Sequence, residues 1–139
     1  MRPIPLLFAI SLPLSLAACA TRPCGDARPG ASVHITVGYA ADGTPTVQPA
    51  QCRVKTGVEI TWRGPAFDNT PFQLTFDGNP GTVTKGSTGR SAGIRGVVVE
   101  SEAGPLGREA GIRAENPGSY KYDVDANGRS LDPHIIIER

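Results

Sequence analysis

Apolar and polar residues alternate most clearly near the C-terminal end of the chain. After the turn signal Pro117-Gly118, Tyr120, Tyr122, Val124 and Ala126 fall on one face. Lys121, Asp123, Asp125 and Asn127 fall on the other. A period of two with aromatic and β-branched residues on one side predicts a half-buried strand. Asn127-Gly128 predicts a tight hairpin, because both residues tolerate positive φ. The chain returns through Pro133 into Ile135-Ile136-Ile137, which predicts a closing strand covered on both faces.

The same alternation runs through the middle of the chain. Val33, Ile35 and Val37 share a face, and Thr46 to Lys55 reads as strand broken at Pro49. Val58 to Arg63 is a strand with Ile60 and Trp62 together, and Phe72, Leu74 and Phe76 form one face of the next. Trp62, Phe67, Phe72 and Phe76 are expected in the core, with a ligand-binding aromatic patch as the alternative. Val97-Val98-Val99 reads as a buried strand, and Arg108 to Ala114 as the strand before the final hairpin. Asp77 to Gly96 is rich in Gly, Thr, Ser and Lys with little periodicity. It predicts either a long loop or a pair of ragged edge strands, and it is one candidate interaction surface.

Three segments carry a family resemblance. Gly118-Ser119-Tyr120-Lys121-Tyr122, followed by a turn and an apolar last strand, resembles the end of a cupredoxin. There a G-x-Y-x-[FY]-x-C strand runs into a ligand loop with Cys, His and Met, and a closing strand follows. Val58-Glu59-Ile60-Thr61-Trp62 resembles the family's G-x-x-[IV]-x-[FW] strand. Pro71-Phe72-Gln73-Leu74-Thr75-Phe76 resembles its P-H-x-[VL]-x-F strand. The resemblance spans roughly Ser32 to Arg139. It implies an all-β, Greek-key β-sandwich of about seven to eight strands.

The chain departs from that family at each copper ligand. Phe72 stands at the first His, Val124 at the Cys, and the Asn127 turn near the second His. Met1 is the only methionine. A blue-copper site needs two imidazoles and a thiolate, so the expectation is a cupredoxin-like sandwich without copper and with no cofactor.

The N-terminal segment is an address rather than part of the fold. Residues 1–18 combine Arg2 with a short apolar run, and Leu16-Ala17-Ala18-Cys19 resembles a bacterial lipobox. The resemblance implies cleavage before Cys19 and acylation of its thiol; two or more acyl chains make a stable anchor. An ordinary secretory signal cleaved at the Ala-Ala pair is the alternative. Ala20 after the Cys is unlike an inner-membrane retention signal. The expected location is therefore the periplasmic face of the outer membrane of a Gram-negative bacterium. Residues 19–31 are expected to form a lipidated tether, and 32–139 the domain.

Of three cysteines, Cys24 and Cys52 remain after lipidation, an even pair in an oxidising compartment. A disulfide is expected, closing a loop worth roughly 3–4 kcal/mol on the chain-entropy model. A thiolate ligand or reactive thiol is the alternative.

Composition adds exclusions. A formal net charge of +1 gives no electrostatic case for nucleic acid. Thirteen Pro and 17 Gly imply many turns, in keeping with short strands. Asp123-Val124-Asp125-Ala126-Asn127-Gly128 matches the first half of a calcium loop. The match fails at its twelfth position, His134, and the flanks read as strands. The favoured reading is a solvated strand face entering a turn. His34 and His134 read as surface or hydrogen-bonded histidines. Should a metal bind, the candidates are His34, His134, Asp123, Asp125 and Asn127. No nucleophile motif or metal-protease motif is present, so no catalytic residue and no enzyme activity is expected.

These features favour a non-enzymatic envelope lipoprotein acting as a binding or structural module. Its partners would be the membrane, through the anchor, and an envelope protein or small ligand. The contact loops would be Gly64 to Pro71 and Asp77 to Gly96, at one end of the sandwich. The alternative is a periplasmic metal-binding or electron-transfer protein with non-standard ligands.

Overall fold

The computed structural model describes Cys24, residues 27–89 and residues 96–139. The expected signal segment and the expected lipidation of Cys19 lie outside these residues. In chain order the strands are β1 (Ser32–Tyr39), β2 (Pro45–Gln48), β3 (Gln51–Lys55), β4 (Glu59–Arg63), β5 (Gln73–Phe76) and β6 (Gly81–Lys85). There follow β7 (Ser87–Gly89), β8 (Val98–Glu100), β9 (Glu102–Ala103), β10 (Arg108–Ala114), β11 (Gly118–Ala126), β12 (Arg129–Leu131) and β13 (His134–Glu138).

They form two sheets. One runs β2-β1-β4-β10-β6, with β9 beside β10; the other runs β3-β13-β11-β5-β8-β7, with β12 beside β11. Most neighbours are antiparallel, but β1 lies parallel to β4 and β3 parallel to β13. Parallel neighbours need a crossover, and here the crossover is the other sheet. Among the described residues there are thirteen strands, against the expected seven to eight. The excess comes from short pieces at corners: β7, β9 and β12 have two or three residues each.

Alternation works as the sequence implies. On β1, Ile35 and Val37 are buried while His34 and Thr36 are exposed. On β11, Tyr122, Val124 and Ala126 point inward. Asn127 and Gly128 both take positive φ, and the hairpin pairs Ala126 with Arg129. Thr46 to Lys55 does split at Pro49, where the chain turns from β2 in one sheet to β3 in the other.

Two expectations are corrected. Ile135 and Ile137 are buried, but Ile136 is half-buried on the outer face. β13 is central along its hydrogen-bonded edges, between β3 and β11, yet one of its faces stays open. Three isoleucines in a row therefore do not mark a doubly covered strand here. The second correction concerns the expected tether. Cys24 is bonded to Cys52, with Cα atoms 5.3 Å apart, and is buried in the core. Ala27 packs on the same core, and the Gly30 N–H donates to the Gly57 carbonyl at 2.8 Å. Residues 27–31 thus belong to the fold, because a covalent bond and backbone hydrogen bonds seat them.

Within Asp77 to Gly96 the part from Gly81 to Gly89 forms edge strands. β6 closes one sheet and β7 the other. Gly86, at φ +89, makes the step between them; a Cβ there would sit 2.2 Å from the Glu100 carbonyl oxygen, so only glycine fits. Positions 90–95 are outside the described residues.

Three aromatic rings join the two sheets. Trp62 of β4 meets Phe76 and Tyr122 of the opposite sheet edge-on, with centroids 5.8 and 5.5 Å apart. Phe76 stacks on Tyr122 at 5.3 Å. The Trp62 indole N–H donates to the Tyr122 hydroxyl at 3.1 Å, which satisfies a polar group where no water reaches. Burial pushes the Tyr122 hydroxyl up to about 12 from its ordinary value of 10.0.

That shift sets a pH dependence. Between pH 10 and 12 the native state keeps the Tyr122 proton while the unfolded chain loses it. The stabilisation is complete below pH 10 and lost as pH rises through that window, at about 1.4 kcal/mol per unit of separation. Burial also raises Tyr39 and Tyr120 above their ordinary value. Tyr122→Phe should therefore flatten, not abolish, the alkaline fall in the urea midpoint. At neutral pH it should cost about 1–3 kcal/mol, because the Trp62 N–H is left unpaired.

Candidate functional site

Strand directions gather a set of loops at one end of the sandwich. β1 and β4 leave the sheet there through residues 40–44 and 64–71, β8 leaves through residues 101–107 into β10, and β11 reaches its Asn127-Gly128 turn. Asp77 to Pro80 and Gly96-Val97 lie at the opposite end, beside Asn116 and Tyr120; the Val97 N–H donates to Gly78 and Asn116 to Asn79. Of the two loops expected to share a contact surface, Gly64–Pro71 lies at the loop end, whereas Asp77–Gly96 starts at the opposite end and returns along β6 to Gly86 and Ser87, beside Glu100.

The loop end is tightly bonded. The Phe72 N–H donates to the Ser101 hydroxyl at 2.9 Å, and the Ser101 N–H donates to the Phe72 carbonyl at 2.9 Å. Arg108 donates to the Ser101 carbonyl through Nη2 at 2.6 Å and to its hydroxyl through Nε at 3.3 Å. The Asn127 amide donates to the Gly43 carbonyl at 3.0 Å, and Arg129 lies 3.6 Å from Asp42. The hairpin turn is thereby fastened to the β1–β2 loop. Between these elements opens a groove of about 390 Å³, with Phe72 and Ala126 on its floor and Glu100, Arg108 and Asp125 around it.

Beside the groove two large apolar side chains face solvent. Phe67 is 91% exposed and Leu106 63%, and they are the exposed large hydrophobics among the described residues. Their loops are joined: the Phe67 N–H donates to the Leu106 carbonyl at 2.6 Å, and the Gly64 N–H to Arg108 at 2.8 Å. A notch of about 180 Å³ separates them. Phe67 also stands at φ 60, in the left-handed region where a bulky side chain is a genuine outlier. The expectation that Phe67 packs in the core is therefore wrong. Trp62, Phe72 and Phe76 do pack there. The sequence signal against core packing is slight: Asn69 stands two residues after Phe67, where a buried strand would repeat an apolar side chain.

The copper-ligand positions come to this end but do not fit copper. Phe72 and Val124 are buried in the apolar core, offering a phenyl ring and an isopropyl group. Asn127 is committed to Gly43. Neither an imidazole nor a thiolate stands at any of these positions.

The other metal candidates are scattered. His34 lies on the outer face of one sheet and His134 on the outer face of the other. Burial and the charges of Arg63 and Lys85 lower the His34 pKa, and the same cations oppose a metal ion beside it. Asp123 and Asp125 point outward from β11. The Ser130 hydroxyl donates to Asp125, while burial and the charges of Asp125 and Asp132 hold the Asp123 carboxyl above its usual range. Asn127 turns its amide away toward Gly43, so the three do not converge as calcium ligands. Among the described residues no group of three or more His, Cys, Asp or Glu side chains is placed to hold a metal ion.

No protein-family model and no curated protein matches the chain. Solved structures do. A point mutant of amicyanin in its reduced Cu(I) form is 16% identical, covering 84% of this chain and 90% of that one, with a TM-score of 0.43. Auracyanin B is 9% identical over 85% and 96% of the two chains, with a TM-score of 0.46. Rusticyanin from Thiobacillus ferrooxidans is 15% identical over 84% and 87%, with a TM-score of 0.37. Overlays at this level describe a likeness and carry nothing further; the sandwich rests on the strand pairings above.

Phe67 offers a direct test. Asn tolerates the left-handed backbone and Phe67 buries almost nothing, so Phe67→Asn should raise stability by about 0.5–1 kcal/mol in urea unfolding. A loss of stability would mean that the ring packs against something in solution.

Proposed function

We propose that this chain is a non-enzymatic envelope lipoprotein whose β-sandwich serves as a protein-binding module without copper. The observation that carries the binding role is the Phe67–Leu106 pair. Two large apolar side chains stand in solvent on loops fastened to each other, one of them in a backbone conformation that costs free energy. Exposed apolar patches on a rigid base mark interaction sites, and strain kept at such a place points to function. The notch between the two side chains accepts one apolar side chain of a partner, and the groove over Phe72 extends the same surface.

The side chains at Phe72 and Val124 support the metal-free reading, since both are spent on core packing. The lipobox around Cys19 supports attachment to a membrane, and Ala20 supports the outer membrane, periplasmic side. The acylated protein would meet its partner in the envelope.

Two experiments test the proposal. In pull-downs from envelope extracts, Phe67→Ser combined with Leu106→Ser should cut recovery of any specific partner at least tenfold while the circular dichroism spectrum stays unchanged. Undiminished recovery would remove the loop end as the contact surface. The soluble domain offered Cu²⁺ should show no stoichiometric binding and no intense visible absorption. A stoichiometric blue species would overturn the metal-free reading.

A further inference from the structure

The disulfide sets where the chain leaves the fold. Cys52 is the second residue of β3, at the outer edge of its sheet, and it pairs with the Ile135 end of β13. From Cys24 the chain passes along this flank: Ala27 packs on the core, and Gly30 bonds to Gly57, beyond the far end of β3. The chain then enters β1. Cys24 and Ala27 thus help close the gap between the sheets on the side where β2 and β3 are the edge strands.

Five peptide steps lead from Cys19 to Cys24, and eleven lead from Cys19 to Gly30. Extended chain spans at most about 3.6 Å per residue, so the disulfide limits the reach to about 18 Å where the backbone alone would allow about 40 Å. β11 has nine residues and is about 30 Å long. A tether shorter than the domain, attached at one flank, does not let the domain turn over.

We propose that the lipid bilayer is a surface partner of this domain, with the flank of Cys24 and β3 lying against the headgroups and the opposite β6–β7 edge pointing away. The inference rests on lipidation at Cys19, as proposed above. The side chains of the flank suit phosphate headgroups. Every outward residue of β3 is neutral or basic (Gln51, Arg53 and Lys55), and Arg28 is exposed beside them. Among the described residues Glu138, paired with Arg53, is an acid beside them. Among the described residues the opposite edge carries Ser87, Thr88 and Gly89 on β7 with Glu100 alongside, and Lys85 at the end of β6.

The test uses the full-length acylated protein in phosphatidylethanolamine–phosphatidylglycerol vesicles. A photo-crosslinking phenylalanine analogue is placed in turn at Arg53 and at Ser87, two positions on opposite edges of one sheet. Crosslinking to lipid from position 53 should exceed that from position 87 at least fivefold. A ten-residue Gly/Ser insertion after Ala20 leaves the disulfide and the fold intact; it should bring the ratio close to one. Equal crosslinking in the uninserted protein overturns the inference, and so does a bias that survives the insertion, since the tether would not be its cause. Intact mass separates this failure from that of the underlying reading: a chain without acyl mass at Cys19 removes the lipoprotein itself, whatever the crosslinks show.

Discussion

The structure depends on one polar contact inside an apolar core, the Trp62 indole donating to the Tyr122 hydroxyl across the gap between the sheets. Sheets packed face to face are held mainly by non-directional burial. Burial alone does not fix how far one sheet slides over the other. The Trp62–Tyr122 bond is directional, and the edge-on and stacked contacts with Phe76 give the three rings one arrangement. Trp62 lies next to the strand end that opens into the Gly64–Pro71 loop, and Tyr122 lies on the strand that ends at Asn127. The contact that registers the sheets therefore also registers the loops above them.

The loop end shows where stability has been conceded. Ser101 is the hub, accepting from Phe72 and Arg108 and donating its N–H back to Phe72. With that much of the backbone satisfied, the loops tolerate Phe67 at positive φ and two apolar side chains in water. The cost at Phe67 is local and is offset by the rest of the sandwich, a common relation between a binding surface and its scaffold.

The alternation on β1 and β11 was legible because each strand has one dry face and one wetter one, and that contrast is written residue by residue; on β4 and β5 Thr61 and Thr75 are buried as well. Asn127-Gly128 was legible because positive φ restricts residue choice. The Cys24–Cys52 pair followed from parity and compartment. What failed had a different physical origin. Ile136 misled because an apolar residue on an open sheet face is tolerated at little cost. Phe67 misled because the same side chain is written for a core and for a contact surface. The course of residues 77–96 was not legible because loop position depends on strand direction, and direction comes from long-range pairing that periodicity does not record.

The resemblance and the structure meet at the positions of the family's copper ligands, and the contacts there show what fastens the end of this sandwich. In the resembled family, Cys, His and Met ligands draw the loops around copper. Here the corresponding positions are divided between two tasks. Phe72 and Val124 extend the hydrophobic core to the tip of the sandwich. The fastening passes to hydrogen bonds: Ser101 with Phe72 and Arg108, Phe67 with Leu106, and Asn127 with Gly43. A metal centre fixes its ligands at one point and needs each of them. A distributed set of hydrogen bonds fixes the same loops at several points and leaves their outer side chains free to be chosen for contact. Exposed Phe67 and Leu106 are the outer side chains of these loops on which the proposed contact rests.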